Sequence, residues 1–200
     1  MNYLKESKYL TKKDKNLKLV IEQIGECTLG KSENYFHSLC DAIVSQQLSV
    51  KAADTIFKRF LGLLDDKILS PENLIQIRHE ELRAIGCSNA KAKYVINLAE
   101  CCIEKIVDLD NIHHLNDEEV ITQLTQVKGI GRWTAEMFLM FSLNRLNVLP
   151  VDDLGIKKGF MKVYNLSEMP TKSQMNEIAS HWQPYRTIGS WYLWRSLESK

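Results

Sequence analysis

Apolar residues in this chain recur every three or four positions and nowhere alternate cleanly with polar ones. That rhythm gathers side chains along one stripe of a helix, whereas a half-buried strand needs a period of two. The stripes are bounded by capping chemistry. A helix over about Leu10–Gly25 is predicted from Leu17, Leu19, Val20 and Ile24. A second, in "SENYFHSLCDAIVSQQ", follows from Phe36, Leu39, Cys40, Ile43 and Val44, with Ser32 as its cap. Ser49 and Ser88 stand where caps are needed before the next long stripes, and Ser70 precedes Pro71, a residue suited to the first helical position. "NDEEVITQLTQV", "RWTAEMFLMFSLNRL", a stretch beginning near Asp152, "TKSQMNEIASHW" and a segment after Pro184 complete the set. About ten short helices with brief links make an all-α globule.

Composition narrows the function classes. Two hundred residues, 44% of them hydrophobic, are ample for one packed domain or two closely joined lobes. No apolar run approaches the roughly 18 residues of a membrane span. The start, "MNYLKESKYLTKKDKNLKLV", lacks the apolar block of a secretory signal. Cys27, Cys40, Cys87, Cys101 and Cys102 are odd in number and scattered, which fits reduced intracellular thiols. Their spacing suits neither zinc nor an iron–sulfur cluster. An intracellular, metal-free chain is expected, cytoplasmic if the source is bacterial, with no membrane partner. A net charge of +1 argues against a protein that coats nucleic acid by bulk electrostatics. Yet Lys5, Lys8, Lys12, Lys13, Lys15 and Lys18 crowd the first 18 residues against only Glu6 and Asp14. Such a run serves either as a solvated helix face or as a phosphate-facing edge.

"LTQVKGIGRWTAEMF", residues 124–138, is the densest motif. A helix ending at Val127 and another starting near Arg132 leave "KGIG" to reverse the chain. Gly129 and Gly131 are able to take positive φ, and Ile130 between them can brace the helix pair. The start of the second helix presents backbone N–H groups and the positive end of its dipole, a setting that favours an anion. Lys128 and Arg132 add charge on either side. An ordinary tight connection would look similar, but the basic flanks move phosphate contact ahead. Downstream, "NVLPVDDLGIKKGF" places Asp152 and Asp153 at a helix start, where one can cap and the other can do chemistry. The pattern alone does not say which.

Together with "AIVSQQLSVKAADTIF" and "WQPYRTIGSWYLWRSLE", these two motifs resemble the helix-hairpin-helix DNA glycosylases, the HhH-GPD superfamily, and within it the branch of 3-methyladenine DNA glycosylase II. The likeness covers roughly residues 10–199, and four motifs in one order are far more specific than any one. It implies that residues 1–200 form a single glycosylase unit of two interleaved helical lobes around a cleft. With few residues before the first common helix, the β domain that some members carry at the amino terminus is not expected. It implies Asp153 as the catalytic carboxylate and Asp152 as structural. It puts Gln46 and Gln47 on the loop that enters the duplex, Gln47 as the wedge and Gln46 toward the base pocket. Trp133 and Trp194 fall on aromatic pocket positions, as does Met137, a tyrosine in a well-known bacterial member. Lys128, Gly129, Ile130, Gly131 and Arg132 become DNA-binding residues. The backbone carbonyls of Thr125, Val127 and Gly129 become candidate ligands for a structural monovalent cation, with no other cofactor expected.

The implied partner is double-stranded DNA carrying a damaged base, bound by a monomer. An enzyme acting on one base must flip it out of the stack, most cheaply when the base is damaged or mispaired. An alkylated purine already carries positive charge, so it leaves neutral, and a carboxylate beside the sugar suffices to stabilise the oxocarbenium-like transition state. Family members that also nick DNA carry a lysine shortly after the hairpin, which attacks the sugar to form a Schiff base. Trp133 stands there instead, and monofunctional hydrolysis of alkylated purines in base excision repair is the reading that results. A glycosylase for oxidised or mismatched bases and a non-enzymatic helix-hairpin-helix DNA-binding module are the alternatives. The second leaves "VDDLG" and the tryptophans idle. A metal site at His113–His114 lacks convincing partners nearby in the sequence.

Overall fold

The computed structural model describes residues 2–32, 34–64 and 68–198. Among them the regular structure is entirely helical: α1 (Leu4–Lys13), α2 (Lys15–Ile24), α3 (Tyr35–Ser45), α4 (Val50–Leu61), α5 (Pro71–Leu74), α6 (His79–Ala84), α7 (Asn89–Ile103), α8 (Asp117–Leu124), α9 (Arg132–Phe141), α10 (Leu154–Val163), α11 (Lys172–Ile178) and α12 (Arg186–Glu198). Short 3₁₀ turns cover Ile112–His114 and Ala179–Trp182. Ser49, Ser70 and Ser88 cap α4, α5 and α7 as expected, through Ala52, Asn73 and Lys91 N–H groups.

Two expectations are corrected, both by a short polar side chain outcompeting the helix ladder. The single helix expected from Leu10 to Gly25 is two helices that meet at Asp14. There the backbone is extended, and Oδ1 accepts from the N–H groups of Asn16 at 3.0 Å and Leu17 at 2.9 Å. The cap of α3 is Asn34 rather than Ser32, because Asn34 sits immediately before the helix and accepts from His37 N–H at 2.9 Å. Ser32 instead accepts from the Ser38 hydroxyl.

The chain divides into two compact units, one from residues 1–31 and 139–200, the other from 32–138. In the discontinuous unit, Leu10, Leu17, Ile156, Phe160, Trp182, Ile188, Tyr192 and Leu193 form a core from which solvent is excluded. α12 packs against α10, α2 and α1. Asp14 is 8% exposed and belongs to this core region. Its Oδ2 accepts from Trp182 Nε1 at 2.9 Å and from the Tyr164 hydroxyl. Burial first, and the Asp14 carboxylate second, push the Tyr164 phenol far above its usual range. Trp182 in turn lies flat on Phe160, with ring centroids 5.3 Å apart. In the continuous unit α7 runs through the middle, against α3, α5 and α6.

All five cysteines are reduced and buried. Burial pushes the Cys27 thiol up to about 11 and that of Cys102 up to about 12, so both stay protonated and inert at neutral pH.

Asp14 connects local capping to tertiary packing, and its loss is expected to be felt throughout its unit. Asp14→Ala removes a cap, at about 0.5–2 kcal/mol. It also leaves buried indole and phenol donors unpaired, at about 1–3 kcal/mol each. A combined loss of about 3–5 kcal/mol would lower Tm by roughly 10 °C in a chain of this size. Thermal unfolding followed by circular dichroism checks it, with the surface change Asp152→Ala as the control expected to stay near wild type.

Candidate functional site

The hairpin is longer than four residues. α8 closes at Leu124, and residues 125–131 form the connection to α9. Two apolar side chains anchor it: Val127 is 1% exposed and Ile130 is 4% exposed. Gly129 has φ +89°, and a Cβ there would lie 2.2 Å from the ring of Tyr94 on α7. Backbone conformation and packing both demand glycine. Gly131 differs from the expectation of positive φ: it is not left-handed, and a Cβ would meet nothing within 4 Å. Its smallness leaves open space beside the first turn of α9, whose N–H groups have no intrahelical acceptor.

Lys128 is exposed, its backbone N–H donates to Asn97 Oδ1 at 2.9 Å, and it makes no ion pair among the described residues. Arg132 is engaged otherwise. Its guanidinium grips Glu118 with both terminal nitrogens, at 3.1 and 2.5 Å, and reaches Glu136 at 3.2 Å. Those hydrogen bonds raise the arginine and hold the Glu118 carboxyl below its usual range. Arg132 therefore braces α8 against α9, and Lys128 is the cation left to face solvent.

The glutamine loop joins α3 to α4. Gln47 is exposed with φ +56°, an uncommon conformation for a side-chain-bearing residue, and it sits at the tip. Gln46, which the resemblance puts toward the base pocket, has its side-chain amide engaged with the hairpin. Its Nε2 donates to the carbonyl of Gly129 at 2.8 Å. Of the three carbonyls considered for a cation, Val127 accepts from Ile130 N–H and Gly129 accepts from Gln46. Each keeps one lone pair, so the set still fits a weakly held hard cation. Among the described residues no group of three or more His, Cys, Asp or Glu side chains could hold a metal. His113 and His114 lie against one another, with centroids 3.9 Å apart.

In the discontinuous unit the two aspartates separate. Asp153 is the cap of α10: Oδ1 accepts from Ile156 N–H at 2.7 Å and also from Trp194 Nε1 at 2.8 Å. Asp152 is not a cap; it lies at the surface with Lys172 Nζ 2.7 Å away. The structural role expected of Asp152 is thus an ion pair, and capping and orientation both fall to Asp153. The approach of Trp194 depends on Gly155. A Cβ at that position would stand 2.9 Å from the indole Cδ1 and 3.0 Å from both Trp194 Nε1 and Asp153 Oδ1.

Trp133 is 45% exposed and Met137 half-buried. They lie four residues apart on α9, and Phe141 continues the same row. Phe141, 36% exposed, stacks on Trp194 with centroids 6.0 Å apart. Sequence reasoning missed Phe141, although the spacing 133, 137, 141 was there to be read. Trp191 and Tyr192 are core residues packed edge to face, and Tyr185 packs edge-on against Tyr9.

A tight glycine turn, a glutamine at a loop tip and an aspartate oriented by two N–H donors are features that a base-excision protein would need. Residues 40–184 match the HhH-GPD superfamily base excision DNA repair protein model, and the chain belongs to that family. It is 37% identical over 194 residues to DNA-3-methyladenine glycosylase 1 of Schizosaccharomyces pombe, covering 94% of this chain and 85% of that one. The structure of the 3-methyladenine DNA glycosylase of that yeast in complex with abasic DNA superposes with a TM-score of 0.88 at 36% identity, covering 98% of this chain and 97% of the other. A DNA-3-methyladenine glycosidase from Bacillus halodurans gives the same TM-score and identity, covering 98% and 91%.

The two glycines of the hairpin should respond oppositely. Gly129→Ala drives a methyl into Tyr94 and forces positive φ on alanine, so stability should drop by about 1–3 kcal/mol. Gly131→Leu should leave Tm near wild type yet weaken duplex binding to a similar degree for every sequence, because phosphate contacts carry no base information. Fluorescence anisotropy with two unrelated duplexes tests this; unchanged affinity would remove the hairpin from the DNA interface.

Proposed function

We propose that this protein is a monofunctional DNA glycosylase that hydrolyses the N-glycosidic bond of alkylated purines of the 3-methyladenine type, acting as a monomer on double-stranded DNA. The observation that carries the reading is Asp153, a carboxylate held by two N–H donors at the N-terminus of α10. Family membership gives that arrangement its chemical context. The duplex backbone would rest on the hairpin, with Lys128 and the first N–H groups of α9 facing phosphate. Gln47 would fill the space vacated by the flipped nucleotide. A structural monovalent cation on the hairpin carbonyls would add no chemistry of its own.

The flipped base needs flat, polarisable surface. Phe141, stacked on the Trp194 indole that donates to Asp153, supplies it. Aromatic faces favour a cationic alkylpurine over its neutral parent, typically by about 0.5–2 kcal/mol. As the C1′–N bond breaks, its electron pair goes to the base, which leaves neutral, while positive charge develops on the sugar. Asp153 stabilises that charge, and water adds to C1′ with loss of a proton. No general acid is required for a leaving group that is already cationic. Fixing Oδ1 with two donors means the carboxylate need not reorient as the charge appears.

Asp153→Asn keeps a good cap and can still accept from Ile156 and Trp194, so Tm should change little. Single-turnover release of methylated base should fall by about 10²–10³ or more. Asp152→Asn should excise at nearly the wild-type rate, with its surface ion pair to Lys172 weakened. Loss of excision in Asp152→Asn with survival in Asp153→Asn would move the catalytic role by one residue, and survival in both would end the enzyme reading.

Trp133 cannot form a Schiff base. Borohydride added to a mixture with abasic DNA should trap no covalent complex, and an adduct at stoichiometric yield would overturn monofunctional hydrolysis.

A further inference from the structure

The bond from Gln46 to the hairpin connects the two segments of the continuous unit that the proposed function sends to DNA. Gln47, at the tip of its loop, is held in a left-handed conformation with φ +56°. Its immediate neighbour donates Nε2–H to the carbonyl of Gly129 at 2.8 Å. Gly129 is itself immobilised, since its Cα lies against the Tyr94 ring too closely for any Cβ. The next peptide toward the amino terminus is also pinned, by Lys128 N–H donating to Asn97 Oδ1 at 2.9 Å. The root of the glutamine loop is held from the same helix: Lys91 Nζ donates to the carbonyl of Val44 at 2.8 Å, near the end of α3. Burial lowers the Lys91 ammonium from its usual range, as befits a cation spent on a backbone carbonyl inside the fold.

Lys91, Tyr94 and Asn97 are spaced three residues apart and span about 9 Å along α7. One helix thus carries both the loop root and the hairpin, and Gln46 closes the circuit between them. The wedge and the phosphate grip share a frame.

We propose that Gln46 is a positioning residue that couples the hairpin to the wedge, so that seating a phosphate on residues 128–132 sets Gln47 in register with the base stack. The side chain acts through Gly129 and Gln47 and touches no base. This rests on the DNA glycosylase reading above, which it deepens. A residue lining the base pocket would discriminate among lesions and act independently of the wedge. A coupling residue would affect all lesions alike and only through Gln47.

The test uses the full chain with Gln46→Leu, which keeps length and removes the donor, alongside Gln47→Ala and the double variant. The probes are a duplex with a tetrahydrofuran abasic analogue opposite 2-aminopurine, and methylated duplex for excision. Gln46→Leu should weaken undamaged-duplex binding little. At saturation it should lose at least about half of the 2-aminopurine change, and it should slow release of 3-methyladenine and 7-methylguanine equally, by about 5–10-fold, as expected for one hydrogen bond. Gln46→Glu, which also lacks the donor, should behave the same way. In the Gln47→Ala background, Gln46→Leu should have no further effect. Additive losses, or a loss confined to one lesion, would place Gln46 at the base and overturn the coupling; so would wild-type behaviour of Gln46→Leu. A protein-only readout separates this from failure of the glycosylase reading. Amide hydrogen exchange across residues 125–131 should accelerate in Gln46→Leu at unchanged Tm, and no acceleration overturns the coupling whatever the DNA results. Wild-type protein that releases no methylated base overturns the glycosylase reading, while the exchange result still decides whether loop and hairpin are coupled.

Discussion

Asp14 holds its unit together through four donors on one carboxylate. Two are backbone N–H groups at the start of α2, and two are the Trp182 indole and the Tyr164 phenol. A carboxylate this deeply buried is tolerated only when its lone pairs are filled, and here they are filled from three parts of the chain. The consequences run outward. Trp182 is fixed flat on Phe160 of α10, and Tyr164 closes the far end of that helix. The helix that begins at Asp153 is thereby seated from its other end by Asp14.

Asp153 caps α10 and is oriented by a second donor at the same time. A helix N-terminus supplies both N–H donors and a favourable field for an anion. The carboxylate that caps α10 is therefore already in the environment a charge-stabilising group needs. The Trp194 indole adds a donor from α12, and Gly155 supplies the gap through which it reaches. Two donors from two helices fix one oxygen of one carboxylate. Asp152, one position earlier, is drawn to Lys172 at the surface.

The continuous unit follows a different logic, in which backbone is positioned by side chains. Tyr94 and Asn97 on α7, with Gln46 from the loop, hold a seven-residue turn in a single shape. The arginine that flanks the turn is consumed by Glu118 and Glu136. The positive charge that the turn presents to solvent is then that of Lys128 and of the backbone dipoles at the start of α9. That fits a chain whose net charge is only +1.

Much of this was legible from residue order, because it depends on neighbours within one helical turn. The period of the apolar residues made the chain all-α, and Ser49, Ser70 and Ser88 announced three helix starts that the structure keeps. Trp191 could be read as core. Four motifs in order pointed to the family. Where polar residues competed locally, the pattern misled or was silent: it put a cap at Ser32 where the structure uses Asn34, left Asp152 and Asp153 undecided, and ran a helix through Asp14. Contacts between distant residues lay wholly outside its reach. Nothing near position 46 indicates that its amide will meet Gly129, 83 residues away, and nothing near 194 indicates that its indole will meet Asp153. Local propensity and periodicity act over a few residues and are written in the sequence directly. Which carbonyl accepts which donor is decided only when helices pack, since packing alone sets the distances on which a hydrogen bond depends.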